Sequence, residues 1–369
     1  MKGIITSFLV CILVLTTQSC EDKNTLGPDL PTDNFDRKAL LTDMADNVII
    51  PGYIAYINEL DKLEESSKIF GDSPTTDALS QLRLDFLEAY IAWQRVSMFE
   101  IGKAEEISLR NKTNIFPASV SQIIENIETA KYNLDLPSTI DEQGFPAIEY
   151  LIYGTGQSEI DVTLYFLNNQ NSVEYLNTLI SRLHRLSFEV LNDWQLNYRE
   201  SFIANDGSSA TSSLNKLVND YLFYYEKFLR AGKIGIPAGI FSGNTLPNKV
   251  EGFYSEENSK LLFLEGLKAS KAFFHGTSNY TDEVGESIKS YLNYLDQDGN
   301  DLSGKIMAQF DVIESKATGL ENNFADQIES DNIKMLETYD ELQKNVILLK
   351  VDMLQALNIK VDFVDADGD

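Results

Sequence analysis

Apolar residues recur every three or four positions along most of this chain. Between Leu79 and Phe99 they fall at Leu79, Leu82, Phe86, Tyr90, Trp93 and Val96. From Leu176 to Tyr198 they fall at Leu179, Leu183, Leu186, Val190 and Trp194. Near the end Ile333, Leu336, Leu342, Val346, Leu349, Met353 and Leu357 continue in the same way. That spacing lines one face of an α-helix. No stretch alternates with a period of two and closes in a hairpin turn, so a sheet has no support.

Breakers divide the pattern. Pro51 and Gly52 are expected to interrupt or bend the first helix. The run from Gly71 to Pro74 ends it, and Phe116-Pro117 and Leu136-Pro137 bracket a third. The polar run from Asn205 to Ser209 is the best boundary, and Gly232 to Pro247 reads as a long loop rich in Gly and Pro. Four or five helices on either side of residue 206 predict an all-α fold, two antiparallel helical bundles packed side by side. The bundles would cover 37–205 and 206–369, the second ending in an acidic tail. A length of 369 residues fits two domains at roughly 150 residues each, and 43% hydrophobic residues suffice for their cores.

The N-terminus reads as a targeting segment. Lys2 precedes an apolar run from Ile4 to Leu15, too short to span a bilayer at about 20 residues. Thr16, Thr17 and Ser19 then lead to Cys20. Small residues before a cysteine resemble the cleavage box of bacterial lipoproteins, although Thr17 stands where that box usually has leucine. Residues 1–19 would be a signal peptide, Cys20 the lipidated residue, and 20–36 a flexible tether. An outer-membrane lipoprotein anchored on the periplasmic face or the cell surface is expected; an ordinary secretory signal is the alternative. The only other cysteine is Cys11, inside the signal, so the mature body has no thiol for a disulfide or a thiolate site. With 57 acidic and 30 basic side chains the net charge is -27, which repels nucleic acid.

Several motif matches dissolve on inspection. The segment Gly299 to Lys305 has phosphate-loop spacing but is followed by Ile306 rather than Ser or Thr. The run Asp296 to Asn300 resembles the start of an EF-hand, but the twelfth position is Met307, so the bidentate carboxylate is missing. Ser213 and Lys216 match Ser-x-x-Lys at chance level. There are two histidines, His184 and His275, and neither has a His, Asp or Glu three or four residues away.

Two segments resemble the imelysin-like family. The first carries Glu88, Tyr90, Trp93, Gln94, Phe99, Glu100 and Gly102. The second runs from Gly144 through Pro146 and Glu149 to Gly154, where the family reads G-x-H-x-x-E followed by an aromatic, two aliphatic residues and glycine. The segment from Lys233 to Gly239 is similar to the opening of the family's second half, and Val361 to Asp369 to the tail of its lipoprotein members. The resemblance implies two helical bundles with a site between them, and a link to peptidase activity or bacterial iron uptake.

His and Glu three apart share a helical face and can hold a metal or a proton together. Here Gly144 and Glu149 match, but Pro146 occupies the histidine position. Proline brings no ligand atom, while it suits a first helical turn. Glu149 then reads either as a weak metal ligand or as a structural helical carboxylate. Tyr90 and Trp93 read as core or pocket, and Gln94 and Glu100 as polar groups able to face the same cleft. The leading expectation is a lipid-anchored binding protein serving iron or haem acquisition with no catalytic residue, meeting envelope uptake proteins and no nucleic acid. No cofactor is fixed by the residues; iron or another divalent cation is left open. A metallopeptidase and a structural or interaction lipoprotein are the alternatives.

Overall fold

A computed structural model describes residues 33–363 except 279 and 281–283. The signal segment, Cys20, the tether up to residue 32 and the last six residues of the acidic tail lie outside the described residues. From Phe35 onward the chain clusters as one compact unit. The described residues are helical, with a single isolated bridge between Thr277 and Val284 and no strand.

Helix α1 (Arg37–Asp43) starts where the Asp36 side chain accepts from the Ala39 N–H. It passes through a π-helical segment, Met44–Ile49, into α2 (Ile50–Asp72). The helix therefore runs on through Pro51 rather than ending there. The proline ring would clash with the carbonyl one α-turn earlier, and the widened turn ahead of it relieves the clash. Thr75 caps α3 (Thr76–Gln94) through the Ala78 N–H. The connection is short, so α3 returns along α2, and the apolar face read from sequence is buried from Leu79 to Trp93.

Short elements then cross the end of this pair: α4 (Lys103–Ile107), α5 (Leu109–Thr113), α6 (Val120–Thr129), a 3-10 turn Pro137–Glu142, α7 (Gly144–Tyr153) and α8 (Glu159–Asn168). The long amphipathic α9 (Gln170–Asp193) packs against both α2 and α7. It continues through a π segment, Trp194–Tyr198, into α10 (Arg199–Ala204). The polar turn expected near 205 follows, with the Asn205 amide donating to the Thr211 carbonyl.

Helix α11 (Ser213–Phe223) runs directly into a third π segment, Tyr224–Gly235. The expected loop from Gly232 to Pro247 is thus corrected: Gly232 and Gly235 are helical, and the irregular chain starts after them. Glycine at 235 answers a packing need, because a Cβ there would come within 2.7 Å of the Tyr339 ring. The remaining helices are α12 (Ser259–His275), α13 (Ile288–Leu295), α14 (Leu302–Thr318) and α15 (Phe324–Val346). A π segment, Ile347–Met353, and α16 (Leu354–Leu357) close the helical part. Helices α14 and α15 pack together and α12 packs on α14; α12 also reaches α3, and α1 touches α10 and α11.

The false motifs acquire structural roles. Asp296 accepts from the Asn300 and Asp301 N–H groups at 2.8 Å, and Asp301 caps α14. His184 Nε2 lies 2.9 Å from Asp61 Oδ1, and His275 meets the Thr277 hydroxyl at the end of α12. Among the described residues no helix is long and apolar enough to cross a membrane.

Candidate functional site

Gly144 opens α7 with φ 77°, a backbone that favours glycine, and an added Cβ would meet the Thr113 carbonyl oxygen at 2.2 Å. This close approach docks the start of α7 onto α5. Pro146 follows within the first turn, where its missing N–H has no helical partner to lose. One turn on, Glu149 projects into the same side.

Pro146 and Glu149 border a cavity of about 190 Å³, closed by Phe116, Asn248, Val250, Phe253 and Tyr254. It lies at the seam between α7 and the segment that precedes α12. Glu149 Oε1 accepts from the Ser255 N–H at 3.0 Å and from the Ser255 hydroxyl at 2.5 Å. Burial pushes its carboxyl up to about 7. The Ser255 donors oppose that shift, and the nearby Glu251 carboxylate adds to it. Tyr254 stands edge-on to Tyr150 at 5.3 Å and supplies an aromatic wall.

None of the other expected residues, Tyr90, Trp93, Gln94 and Glu100, lines this cavity. Tyr90 is buried, stacks on Phe145 at 4.3 Å and donates to Asn114 Oδ1 at 2.6 Å. Trp93 is core, packed against Tyr56 at 5.6 Å. Gln94 belongs to a buried polar cluster: its amide donates to Glu251 Oε1 at 3.0 Å and its carbonyl accepts from Lys233 at 2.9 Å. Asn114 donates to the same Glu251 oxygen at 2.7 Å, and the Lys233 ammonium pairs with Glu251. Burial lowers the Lys233 pKa, and Glu251 works against that.

Glu100 does not share the cleft of Glu149. It lines a separate cavity with Arg110 and Asp220. Its Oε2 accepts from the Arg110 N–H at 2.8 Å, and its own N–H donates to Asp220 at 2.6 Å. Arg110 meets Asp220 with one guanidinium nitrogen, 3.0 Å from each carboxylate oxygen.

Sequence reasoning missed Asn114, Glu251 and Ser255, which hold the polar groups it named. The only signal for them was the break in helical spacing around each, and that signal has no direction. A transition-metal centre does not fit the Glu149 wall. One carboxylate is present, Oε1 is occupied by Ser255, and proline stands where a second ligand would be. Among the described residues no three His, Cys, Asp or Glu side chains group so as to hold a metal ion.

The family model for imelysin, a peptidase M75 family, matches residues 49–348. No curated protein sequence matches the chain. Among solved structures, an imelysin-like protein from Psychrobacter arcticum 273-4 superposes with a TM-score of 0.71 at 19% identity, covering 89% of this chain and 97% of its own. A protein from Parabacteroides distasonis ATCC 8503, described as an iron-regulated protein A precursor, superposes with a TM-score of 0.69 at 17% identity, covering 88% and 96%. At those identities the likeness is one of fold.

Proposed function

The chain belongs to the imelysin family, and on that premise we propose that it is a lipid-anchored envelope protein that binds a small iron-bearing ligand rather than cleaving peptides. The observation that carries this reading is the wall shared by Pro146 and Glu149. The side chain that could have completed a metal pair is apolar, while the carboxyl beside it is poised near neutral pH. Such a group donates a hydrogen bond when protonated and accepts when ionised. Phe116, Phe253 and Tyr254 add aromatic surface around it.

Iron, as cargo, would arrive here with its own ligands, because the cavity supplies too few hard oxygen donors to coordinate a bare ion. A volume of about 190 Å³ falls below the ~300 Å³ at which drug-sized pockets begin. This favours a compact chelate over haem. The Parabacteroides protein, described as iron-regulated, supports the same direction. The small residues before Cys20 support the anchored address.

Titration with ferric citrate, haem, ferrous iron and zinc tests the proposal. Ferric citrate should bind, and Glu149→Ala should weaken it at least tenfold while the variant still melts cooperatively. Sub-micromolar binding of bare zinc or ferrous iron that Glu149→Ala abolishes would overturn the reading. So would zinc-dependent cleavage of casein by the wild type. Cys20→Ser should move the protein from the membrane to the soluble fraction.

A further inference from the structure

The Glu100 cavity shares no lining residue with the Glu149 cavity, and the proposed function does not use it. Its volume is about 280 Å³, with a mouth bordered by the exposed residues Glu105, Asn111 and Lys216. Three phenyl rings, Phe223, Phe228 and Phe363, form its apolar walls.

The charges around it do not cancel. Glu100, Glu105, Asp220 and Asp362 face Arg110 and Lys216. Arg110 is committed to Asp220 and lies over Phe228 at 5.0 Å and Phe223 at 6.0 Å, and Lys350 lies over Phe363 at 5.5 Å. Lys216 lies where it acts on Asp362. Glu100 shares that one guanidinium with Asp220. One of its oxygens accepts from the Arg110 N–H, and Oε1 takes no hydrogen bond from any described residue. A carboxylate beside aromatic faces in a desolvated recess is the environment that selects an organic cation over a neutral molecule.

The C-terminal segment completes the site. The Asn219 side chain donates to the Lys360 carbonyl at 3.0 Å and accepts from the Asp362 N–H at 3.1 Å. These two bonds fasten the segment across α11, and Phe363 then meets Phe223 edge-on at 5.4 Å.

We propose that this cavity binds a small organic ammonium ion, with Glu100 as the counter-charge and Phe223, Phe228 and Phe363 as the aromatic walls. Burial pushes the Glu100 carboxyl up to about 7, Arg110 opposes and Asp220 and Glu105 reinforce it. Tyr53 also faces it, and its hydroxyl stays neutral. A bound cation favours the ionised carboxylate, so affinity should rise with pH through about 7.

The test is calorimetry on the full-length protein with choline, its neutral isostere 3,3-dimethylbutanol, and acetate. Choline should bind, the isostere at least tenfold more weakly, and acetate not at all. Binding at pH 8 should be about tenfold tighter than at pH 6. Glu100→Gln keeps an acceptor for the Arg110 N–H; it should cost at least tenfold and remove the pH dependence. Phe363→Ala should cost less. Equal affinity for choline and the isostere would overturn the proposal. So would preferential acetate binding, undiminished binding in a folded Glu100→Gln, or no choline binding at either pH.

Discussion

Glu149, buried, and Glu100, half-buried, both have carboxyls pushed up to about 7, and they arrive there by different routes. Glu149 has neutral donors from Ser255 and no cation beside it. Glu100 has a guanidinium at hand, but Arg110 is already engaged with Asp220. Glu251 has a third arrangement, with Lys233 paired to it and two amides on its other oxygen. Asp220, which holds that guanidinium, is pushed up by burial as well, so a neighbouring cation offsets the desolvation of a carboxyl only in part. Burial then sets the scale of the shift.

The largest effect should follow from removing that committed cation. Arg110→Met leaves Asp220 and Glu100 buried without it and should cost about 3–5 kcal/mol in chemical denaturation. A loss below about 1 kcal/mol would mean that both acids protonate at little cost. The next effect is a pH dependence. A carboxyl whose folded pKa is raised binds its proton more tightly when folded. Its stabilising contribution is full below the unfolded value near 4.5 and is lost as pH rises through about 7. Each glutamate should therefore remove up to roughly 3 kcal/mol between those limits. Urea midpoints measured from pH 4.5 to 8 should fall less steeply in Glu149→Gln and in Glu100→Gln than in the wild type. Parallel curves would show that neither group titrates in this window.

A smaller change separates the two routes. Ser255→Ala removes the hydroxyl from Glu149 and should cost about 1–2 kcal/mol. Carboxyl carbon NMR should then find the Glu149 pKa raised further and that of Glu100 unmoved. The smallest effect belongs to Pro146→His. It places an imidazole three residues before Glu149 and should raise zinc affinity by about tenfold, some 1.4 kcal/mol. No gain would mean that Ser255 keeps the carboxylate from turning toward a metal.

The long helices were legible because burial imposes a period, and the residues from Leu79 to Trp93 and from Leu179 to Val190 kept it. Pro146 at a helix start was legible for the same local reason. Lys233 stood in a segment that read as loop, because glycine counts as a breaker until Tyr339 is known to lie against Gly235. The polar cluster joins Gln94 to Glu251 across 157 positions, and no local period carries such a pairing. Glu100 and Glu149 both read as polar groups near one cleft, whereas Arg110 and Asp220 draw the first into a different recess.

Lys233 sits near the end of the π segment that begins at Tyr224, and that placement makes its reach to Glu251 a matter of phase. Each residue inserted into or removed from an α-helix rotates everything beyond it by about 100°. A π turn accommodates such an extra residue without breaking the helix. The four π segments among the described residues therefore act as verniers, each resetting which face the next turns present. Deleting one residue between Tyr224 and Lys233 would leave the composition and the helix almost intact. It would also swing the ammonium away from Gln94 and Glu251, leaving two halves of the chain still packed but no longer in register.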